Sequence, residues 1–178
     1  MNNMIRLRTA KPKEAERILK FYQNTIDSIK ETEFKPKWNE YYPDLEYIQT
    51  GIEKQELYVC TKNNNIIASV VLNNGFNPEY ENVNWIADAK PNETVVIHTF
   101  AIASNFMGNG IGKEIFNQIK TKSLENNKKT IRIDIIDGNL GAQKVFEKFG
   151  FEYIGSTEIF HEAVGLEKFH LYEHVLKN

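Results

Sequence analysis

Apolar and polar positions follow two different periods along the chain, and the changes of period divide its centre into strands and helices. A nearly continuous apolar run from Val95 to Ala103 predicts a strand. After a glycine-rich break at 107–112, apolar residues recur at helical spacing to about position 120. The alternation from Thr130 to Ile136 predicts a second strand, and apolar positions three and four residues apart within 139–150 predict a second helix.

The segments on either side carry weaker versions of the same patterns. An amphipathic helix is predicted from Pro12 to about Lys30, because proline suits a first helical turn, and another helix from Asp44 to Gln55. Three asparagines at 63–65 separate two apolar runs and predict a hairpin, because asparagine tolerates positive φ. The remaining predicted strands are 5–8, 56–61, 66–72, 153–155 and 168–176.

The glycines at 108, 110 and 112 carry the clearest chemical signal. Alternate glycines remove the Cβ atoms that keep a ligand off the backbone, and the free N–H groups that start the next helix suit an anion such as a pyrophosphate. A P-loop is disfavoured, because Glu114 follows Lys113 where a magnesium-binding Ser or Thr is needed. A dinucleotide-binding motif is also disfavoured, because it needs a different spacing of the glycines. Asp134 does follow the glycine turn at roughly the distance at which that motif has its ribose-binding acid. We therefore predict a phosphate-bearing cofactor.

The segment Gly108 to Gly112, followed about thirty residues later by the segment Asn139 to Phe151, resembles the linked motifs of the GNAT superfamily of N-acetyltransferases. The resemblance is strongest from Val95 to Ile154. It implies an α/β (α+β) fold with a mixed, mostly antiparallel central sheet, helices on both faces, and the order β-α-α-β-β-β-α-β-α-β-β. It also implies transfer of an acetyl group from the cofactor acetyl-coenzyme A (acetyl-CoA) to a primary amine, by direct attack through a tetrahedral intermediate.

The same resemblance implies how the cofactor is held. The backbone amides of the glycine turn would bind the pyrophosphate, and Met107 stands where the family usually has Arg or Gln, which removes one polar contact. The strand from Val96 to Ala103 would splay from its neighbour so that pantetheine bonds to its exposed backbone, and Asn139 would touch the cofactor near the thioester. The implied cofactor-binding residues are Phe100, Ala101, Ile102, Met107, Gly108, Asn109, Gly110, Ile111, Gly112, Lys113, Asn139, Ala142 and Phe146.

Acetyl transfer to an amine needs a base for the amine and a donor for the oxyanion. His98 is the candidate base, since an imidazole pKa near 6.5 suits proton removal at neutral pH. The alternative is a structural histidine, or one that shapes the acceptor pocket. A backbone N–H of residues 100–102 is the predicted oxyanion donor. Acidic residues that are alternative bases, acting through water, are Glu79, Glu81, Asp88 and Glu93.

The chain differs from its relatives at the residue that protonates the leaving thiolate. The relatives often have a tyrosine at the position of Phe146. Phenylalanine cannot donate a proton. Tyr172 from the closing strands, or water, is the candidate replacement. Alternatively the thiolate leaves unprotonated, since its intrinsic basicity is low, or the chain is a non-catalytic acyl-CoA-binding module.

Two aromatic segments fall where the family builds its acceptor cleft. Aromatic walls with scattered carboxylates suit a small-molecule amine or an amino-acid-like acceptor, since a cation can lie over a ring and beside an acid. The alternatives are a peptide or protein N-terminus as acceptor, and aromatics that only cap the core. The aromatic residues are Phe34, Trp38, Tyr41 and Tyr42 in the first segment, and Phe76, Tyr80 and Trp85 in the second.

Composition and charge further narrow the classes of protein with which the sequence is compatible. With 178 residues, 41% of them hydrophobic, the chain supports one core, so we predict a single domain over residues 1–178. A net charge of -2, from 22 basic and 24 acidic residues, argues against nucleic-acid binding. The single cysteine excludes an intramolecular disulfide, and no metal site is predicted. The lack of a long early apolar stretch predicts a cytoplasmic protein without membrane contact. The sequence leaves monomer and homodimer both open.

Overall fold

A computed structural model describes residues 5–75 and 77–177, and these form seven strands and four α-helices in the predicted order. Short 3-10 turns precede α1 and β4 and follow β4. The elements are β1 (Arg8–Thr9), α1 (Ala15–Ile29), α2 (Leu45–Glu53), β2 (Leu57–Lys62), β3 (Asn65–Asn73), β4 (Thr94–Ile102), α3 (Ile111–Glu125), β5 (Thr130–Ile136), α4 (Leu140–Lys148), β6 (Glu152–His161) and β7 (Gly165–Val175).

The strands form one mixed sheet in the order β1-β2-β3-β4-β5-β7-β6, and every neighbouring pair except β4 and β5 is antiparallel. Side chains alternate between its faces. Leu57 and Val59 pack with α1 and α2 on one face, whereas Tyr58 and Cys60 pack with α3 and α4 on the other. The predicted fold, a mostly antiparallel sheet with helices on both faces, is therefore confirmed.

The pairing of β4 with β5 is short, and this creates an opening in the sheet. The two strands pair only at Thr94–Val96 and Thr130–Arg132, and they diverge beyond these residues. The pairing of β4 with β3 continues to Ile102. One edge of the β4 backbone is therefore left without a strand partner along its second half, as the sequence resemblance implied.

A β-bulge bends β4 at the start of this opening. The register passes from Val71 opposite His98 to Ser69 opposite Ala101, so β4 contains one residue more than β3. Thr99 has a positive φ of 46°, and the fully buried Tyr22 donates a hydrogen bond from its hydroxyl to the Thr99 carbonyl over 2.8 Å. The sequence carries no signal for this bulge, because its support comes from a helix 77 residues away along the chain.

Two element boundaries differ from the sequence prediction. Residues 5–7 lie outside the sheet, because the Gln118 side chain of α3 bonds the Ile5 carbonyl and the Leu7 amide and takes the place of a strand partner. In contrast, β6 extends over ten residues, far beyond the predicted 153–155. Pairing with β7 stabilises this polar strand, which lacks an apolar pattern of its own.

Glu14 anchors the start of α1. Its carboxylate pairs with both terminal nitrogens of Arg8, at 2.8 and 2.7 Å, and accepts the Lys11 amide at 2.8 Å. The bond to Arg8, opposed in part by burial, lowers the pKa of Glu14 to about 2. A carboxyl whose folded pKa is depressed stabilises the fold above its unfolded pKa, and this stabilisation is lost as the pH falls towards the folded pKa.

Replacing Glu14 by Gln should therefore lower the free energy of unfolding by about 2 kcal/mol near pH 7, because charge-assisted bonds are lost. The difference from wild type should shrink as the pH falls from 4.5 towards 2. Urea unfolding at pH 7 and pH 3 measures both effects. Glu16→Gln, in the exposed first turn of α1, is the matched control. Equal effects of the two substitutions at pH 7 would contradict the assigned role of Glu14.

None of the helices in the described part of the chain combines the length and the apolarity that a bilayer span would need.

Candidate active site

A cavity of about 680 Å³ lies between the diverging ends of β4 and β5. Residues 97–102 of β4 and 133–136 of β5 form its floor. At one end it reaches the glycine turn before α3 and the inner face of α4. At the other end it is covered by the loop 30–43 and by the tip of the β6–β7 hairpin. One continuous cavity therefore joins the predicted cofactor site to the predicted acceptor cleft.

The glycine turn has the backbone conformation that its sequence predicts. Gly108 and Gly110 have φ values of 77° and 78°, which side-chain-bearing residues rarely adopt, and a Cβ at either position would meet no atom within 4 Å. Gly110 is the N-cap of α3 and supplies no side chain to bond the first amides of that helix. These amides therefore face the cavity mouth as donors for an anion.

Gly112 is required for a different reason, namely close packing. A Cβ at this position would lie 3.2 Å from Cδ1 of Ile102 and 3.3 Å from Cζ of Phe149. The missing side chain lets the first turn of α3 approach β4 and the end of α4. The start of α3 thereby comes within reach of a ligand that lies along β4.

Replacing Gly112 by Val should displace the start of α3 and weaken acetyl-CoA binding by about 10-fold. Overpacking should also lower the free energy of unfolding by about 1 to 3 kcal/mol. Titration calorimetry with acetyl-CoA measures the first effect and urea unfolding the second. Gly155→Val in β6 is the control, since a Cβ there meets no atom within 4 Å. Unchanged affinity in the Gly112 variant would contradict the assigned position of the cofactor.

Most of the residues assigned to the cofactor by resemblance line this cavity, and two do not. The Ile111 side chain is buried in the core beneath α3, so only its backbone atoms can serve, whereas the Asn109 side chain is exposed. The lining residues among those assigned are Phe100, Ala101, Ile102, Met107, Gly108, Gly110, Gly112, Lys113, Asn139, Ala142 and Phe146.

Asn139 lines the cavity as the N-cap of α4, and its side-chain oxygen is already engaged. Oδ1 accepts the Lys35 amide at 2.9 Å and the Ala142 amide at 3.4 Å. A Cβ at Gly141 would lie 2.9 Å from the ring of Phe34, so the loop 30–43 packs directly on the start of α4. Asn139 therefore ties that loop to the cavity wall.

Tyr172, predicted as an acid for the thiolate, is not brought to the cavity. Its hydroxyl lies against α4, 3.4 Å from Oε1 of Gln143 and 3.5 Å from Oε1 of Glu147. Burial, followed by the charge of Glu147, raises the pKa of Tyr172 to about 12. Because its hydroxyl is directed at α4 and the residue does not line the cavity, we do not retain Tyr172 as the acid. Phe146 lines the cavity and presents only a hydrocarbon ring there.

His98 lies on the cavity wall in a defined orientation. Its Nε2 is 2.9 Å from Oδ1 of Asn73, an oxygen that also accepts the Gly75 amide at 2.8 Å. The Asn73 amide nitrogen donates to Glu56 Oε2 at 3.2 Å, which fixes the side-chain oxygen towards His98. Nε2 is therefore the donor of the neutral ring, and Nδ1 carries the lone pair.

The protonation state of His98 follows from its surroundings. Burial lowers the pKa of the imidazole, and the charges of Asp134 and Glu56 oppose this effect only in part. His98 is therefore neutral near pH 7 and can accept a proton at Nδ1.

The four acidic residues predicted as alternative bases do not line the cavity. Glu93 accepts the Lys90 amide at 3.0 Å and forms an ion pair with Lys129 at 2.9 Å, and both interactions lower its pKa. Asp88 and Glu81 are exposed. None of the four is therefore in direct contact with the acceptor end.

Asp134 of β5 is the acidic side chain that does line the cavity among the described residues. Its Oδ2 accepts hydrogen bonds from Nδ2 of Asn77, at 3.3 Å, and from the hydroxyl of Tyr80. Burial and the adjacent Asp134 charge raise the pKa of Tyr80 well above its usual value, so that Tyr80 remains a donor. The sequence singled out Asp134 only for its distance from the glycine turn, and it gave no sign that the side chain faces the acceptor end.

A buried ion pair holds the segment that contains Asn77 and Tyr80. Arg132 Nε bonds Oε1 of Glu173 at 2.9 Å, and both side chains are almost fully buried. Oε2 of Glu173 accepts the amides of residues 86 and 87 at 2.6 and 3.2 Å. The Arg132 guanidinium stacks on Trp85 at 4.2 Å, and the indole N–H of Trp85 bonds the Tyr80 carbonyl at 3.1 Å. The pair therefore fixes the groups that orient Asp134.

The loop 30–43 and the β6–β7 hairpin close the acceptor end together. The Lys37 ammonium pairs with Glu167 at 2.6 Å, and the Tyr42 ring contacts His161 with a centroid separation of 4.5 Å. Of the predicted aromatic residues, Phe34, Trp38 and Tyr42 line the cavity, with Tyr47 as an addition that the sequence did not indicate. Tyr41 is 73% exposed, Tyr80 and Trp85 lie behind the wall, and Phe76 falls outside the described residues.

The fold and the cavity together define a class of protein. α3 begins at a glycine turn with positive φ, and its first backbone amides can bind a phosphate group. The neighbouring strand β4 has one unpaired edge, whose backbone can hydrogen-bond to a ligand arm that contains amides. This arrangement suits an acyl-CoA-dependent transferase. The sequence matches the model of the acetyltransferase (GNAT) family over residues 24–151. The chain belongs to this family of acetyltransferases, which use acetyl-CoA.

Known proteins resemble this chain in sequence or in fold. The uncharacterized N-acetyltransferase YesJ of Bacillus subtilis is 25% identical over 130 residues, which are 73% of this chain and 67% of YesJ. A GNAT-family acetyltransferase of Streptococcus agalactiae superposes with a TM-score of 0.79 at 17% identity, covering 98% of this chain and 96% of its own. YncA of Salmonella typhimurium, solved with its cofactor acetyl-CoA, has a TM-score of 0.68 at 13% identity, covering 98% and 95%. The two structural likenesses show a shared fold.

Proposed function

We propose that this chain transfers the acetyl group of acetyl-CoA to the primary amine of a small molecule, by direct attack of the amine on the acetyl carbonyl. The observation that carries the proposal is the continuity of the cavity, which runs from the glycine turn past His98 to an end lined by aromatic side chains. Both substrates can therefore meet beside a group that accepts a proton.

The charges along the cavity support the orientation of the two substrates. Lys113 and Lys148 line the end near the glycine turn, and Asp134 lines the opposite half. Phosphate groups favour the end with lysines and helix amides, whereas a cationic amine favours the end with the carboxylate. The turn amides and Lys113 would hold the phosphates of acetyl-CoA, and the free edge of β4 would hold its pantetheine arm. When bound, acetyl-CoA supplies an activated thioester.

Direct transfer, without an acyl-enzyme, is supported by the position of the only cysteine in the chain. Cys60 is buried in the core and does not line the cavity, and burial raises the pKa of its thiol to about 12. His98 would accept the amine proton at Nδ1, and a backbone N–H in the unpaired part of β4 would stabilise the oxyanion. With Phe146 in place of an acid, we propose that water protonates the departing thiolate, and that the resulting hydroxide takes the proton that His98 accepted from the amine, which restores the neutral imidazole.

Two alternatives are less well supported. A peptide or protein N-terminus needs an open groove, whereas the loop 30–43 and the hairpin tip are joined across the acceptor end by the ion pair of Lys37 and Glu167. A non-catalytic acyl-CoA-binding module has no need of an imidazole held as a neutral proton acceptor beside a carboxylate.

The test has two steps. Thermal unfolding is measured with acetyl-CoA, ATP and NAD, since a ligand at about 100 times its dissociation constant adds about 2.7 kcal/mol of stability. A selective shift with acetyl-CoA is expected, followed by release of free thiol when primary amines are added. A shift without thiol release on any amine would favour the binding module. An equal or larger shift with ATP or NAD would overturn the proposal.

A further inference from the structure

We propose that Asp134 determines acceptor specificity by binding the ammonium form of the acceptor amine between its own carboxylate and the imidazole of His98. This inference rests on the proposed function and names the acceptor class: a small primary amine that enters as a cation and has a compact, largely apolar body.

The register of the sheet places the two groups opposite each other. The last paired residues of the parallel strands are Val96 and Arg132. His98 and Asp134 each lie two positions further along, where the strands have begun to diverge, and residues two apart on a strand share a face. Both line the cavity. The gap between them is therefore the place where a group entering from the acceptor end meets a carboxylate and a proton acceptor together.

The Asp134 carboxylate is held in place but not neutralised. Both of its hydrogen-bond donors, the side chains of Asn77 and Tyr80, are uncharged and bond Oδ2. Within the described residues, no hydrogen bond uses Oδ1. The cation nearest along the strand, Arg132, is already engaged by Glu173. Among residues 5–75 and 77–177, this anchored carboxylate forms no ion pair and keeps one oxygen without a hydrogen bond, which suits an ammonium ligand.

The negative charge of Asp134 influences the titratable side chains around the gap between Asp134 and His98. Burial is the largest influence on the pKa of His98, which it lowers, and on the pKa values of Tyr42 and Tyr47, which it raises; the charge of Asp134 acts in the upward direction on all three. These are the side chains of the enclosed acceptor end, together with Trp38 and Phe169. Aromatic faces attract a cation and accommodate an apolar body. The acceptor end therefore favours a cationic amine over a neutral molecule of the same shape.

The test measures binding, so that it does not depend on turnover. Titration calorimetry in the presence of coenzyme A compares amines with alcohols of the same shape: butylamine with butanol, and benzylamine with benzyl alcohol. Wild-type protein should bind at least one amine about 10-fold more tightly than its alcohol, as expected for a charge-assisted hydrogen bond. Asp134→Asn, which still accepts the Tyr80 hydrogen bond, should reduce this preference to less than about 2-fold.

Two further variants test whether the effect of Asp134→Asn comes from the lost charge or from a change in the local structure. Asp137→Asn removes an exposed carboxylate near the end of the same strand and should keep the full preference. Tyr80→Phe removes one of the two hydrogen bonds that orient Asp134 but keeps its charge and the bond from Asn77, and should therefore keep part of the preference. If Asp134→Asn does not fold, as judged by circular dichroism, Asp134→Ser takes its place.

The outcomes also separate this inference from the proposed function. A preference for amines that is lost only in the Asp134 variant supports the inference, even if no amine is acetylated. Acetylation of amines by a wild-type protein that shows no preference for any amine over its alcohol would overturn the inference and leave the proposed function in place. A preference that survives Asp134→Asn, or that is lost equally in Tyr80→Phe, would also overturn it.

Discussion

Replacing Glu173 by Gln should lower the free energy of unfolding by about 3 to 5 kcal/mol, because it leaves the buried Arg132 guanidinium without a counter-charge. Glu173 and Arg132 have side-chain exposures of 0% and 2%. The amide of Gln also presents a donor to the amides of Ile86 and Ala87, which bond Oε2 of Glu173. Two sets of donors would then face each other in the core. Urea unfolding monitored by circular dichroism measures the loss.

The control for Glu173 lies directly opposite it in the sheet. Glu152 of β6 pairs with Glu173 in register but is exposed, so Glu152→Gln should change stability by less than about 0.5 kcal/mol. The double variant Arg132→Met, Glu173→Leu should recover part of the loss, since it removes both charges. A Glu173→Gln variant as stable as the control would refute the role given to this pair.

Replacing His98 by Ala should lower kcat by about 100- to 10,000-fold, the usual contribution of a positioned general base. The basis is geometric: His98 lines the cavity, and the bond from Nε2 to Asn73 leaves Nδ1 with the lone pair that can accept a proton. Thiol release from acetyl-CoA with the best wild-type amine measures the loss. The thermal shift produced by acetyl-CoA should be retained, because His98 lies away from the glycine turn.

The pH dependence of His98 gives an independent check. Burial lowers the pKa of this imidazole below its ordinary 6.5. The unfolded chain then takes up a proton at a higher pH than the folded one, so stability falls as the pH drops below 6.5. An NMR titration should show His98 protonating below 6.5, with the assignment made by its loss in the His98→Ala spectrum.

His170 of β7 is the matched control for His98. It bonds Asp137 at 2.6 Å and does not line the cavity. His170→Asn should keep kcat within about 2-fold of wild type, since surface substitutions away from a site have small effects. Full activity in His98→Ala, or an equal loss in His170→Asn, would exclude His98 as the base. A structural or pocket-shaping role would then remain.

Elements with a strong local pattern were predicted well, and those that depend on distant partners were not. The helices α1, α3 and α4 follow their apolar spacing, and the hairpin between β2 and β3 turns at Asn63 and Asn64, which both have positive φ. The ten-residue β6 was underestimated, because its strand conformation comes from pairing with β7. Residues 5–7 were assigned to a strand, and a side chain from α3 replaces the expected sheet partner.

The features of the candidate site also divide into those that a local sequence pattern predicts and those that depend on distant partners. The glycine turn and the capping asparagine Asn139 are local features, since positive φ and a helix N-cap each select residue types at one position. Their roles in holding acetyl-CoA stay predictions from the family resemblance. Tyr172 shows the limit of such reasoning: its residue type suits an acid, but its hydroxyl lies against Gln143 and Glu147 of α4 and the residue does not line the cavity.

The sequence by itself determined the order of elements, the glycine turn and the family, because these depend on periodicity and on residue types at fixed spacing. Only the tertiary structure decided which side chains lie at the acceptor end and how they are oriented. The lone pair of His98 is set by Asn73, and the orientation of Asp134 by Tyr80, whose segment is held by the ion pair of Arg132 with Glu173. These partners lie on different strands and loops, and hydrogen-bond direction depends on their meeting in space, which no local pattern encodes.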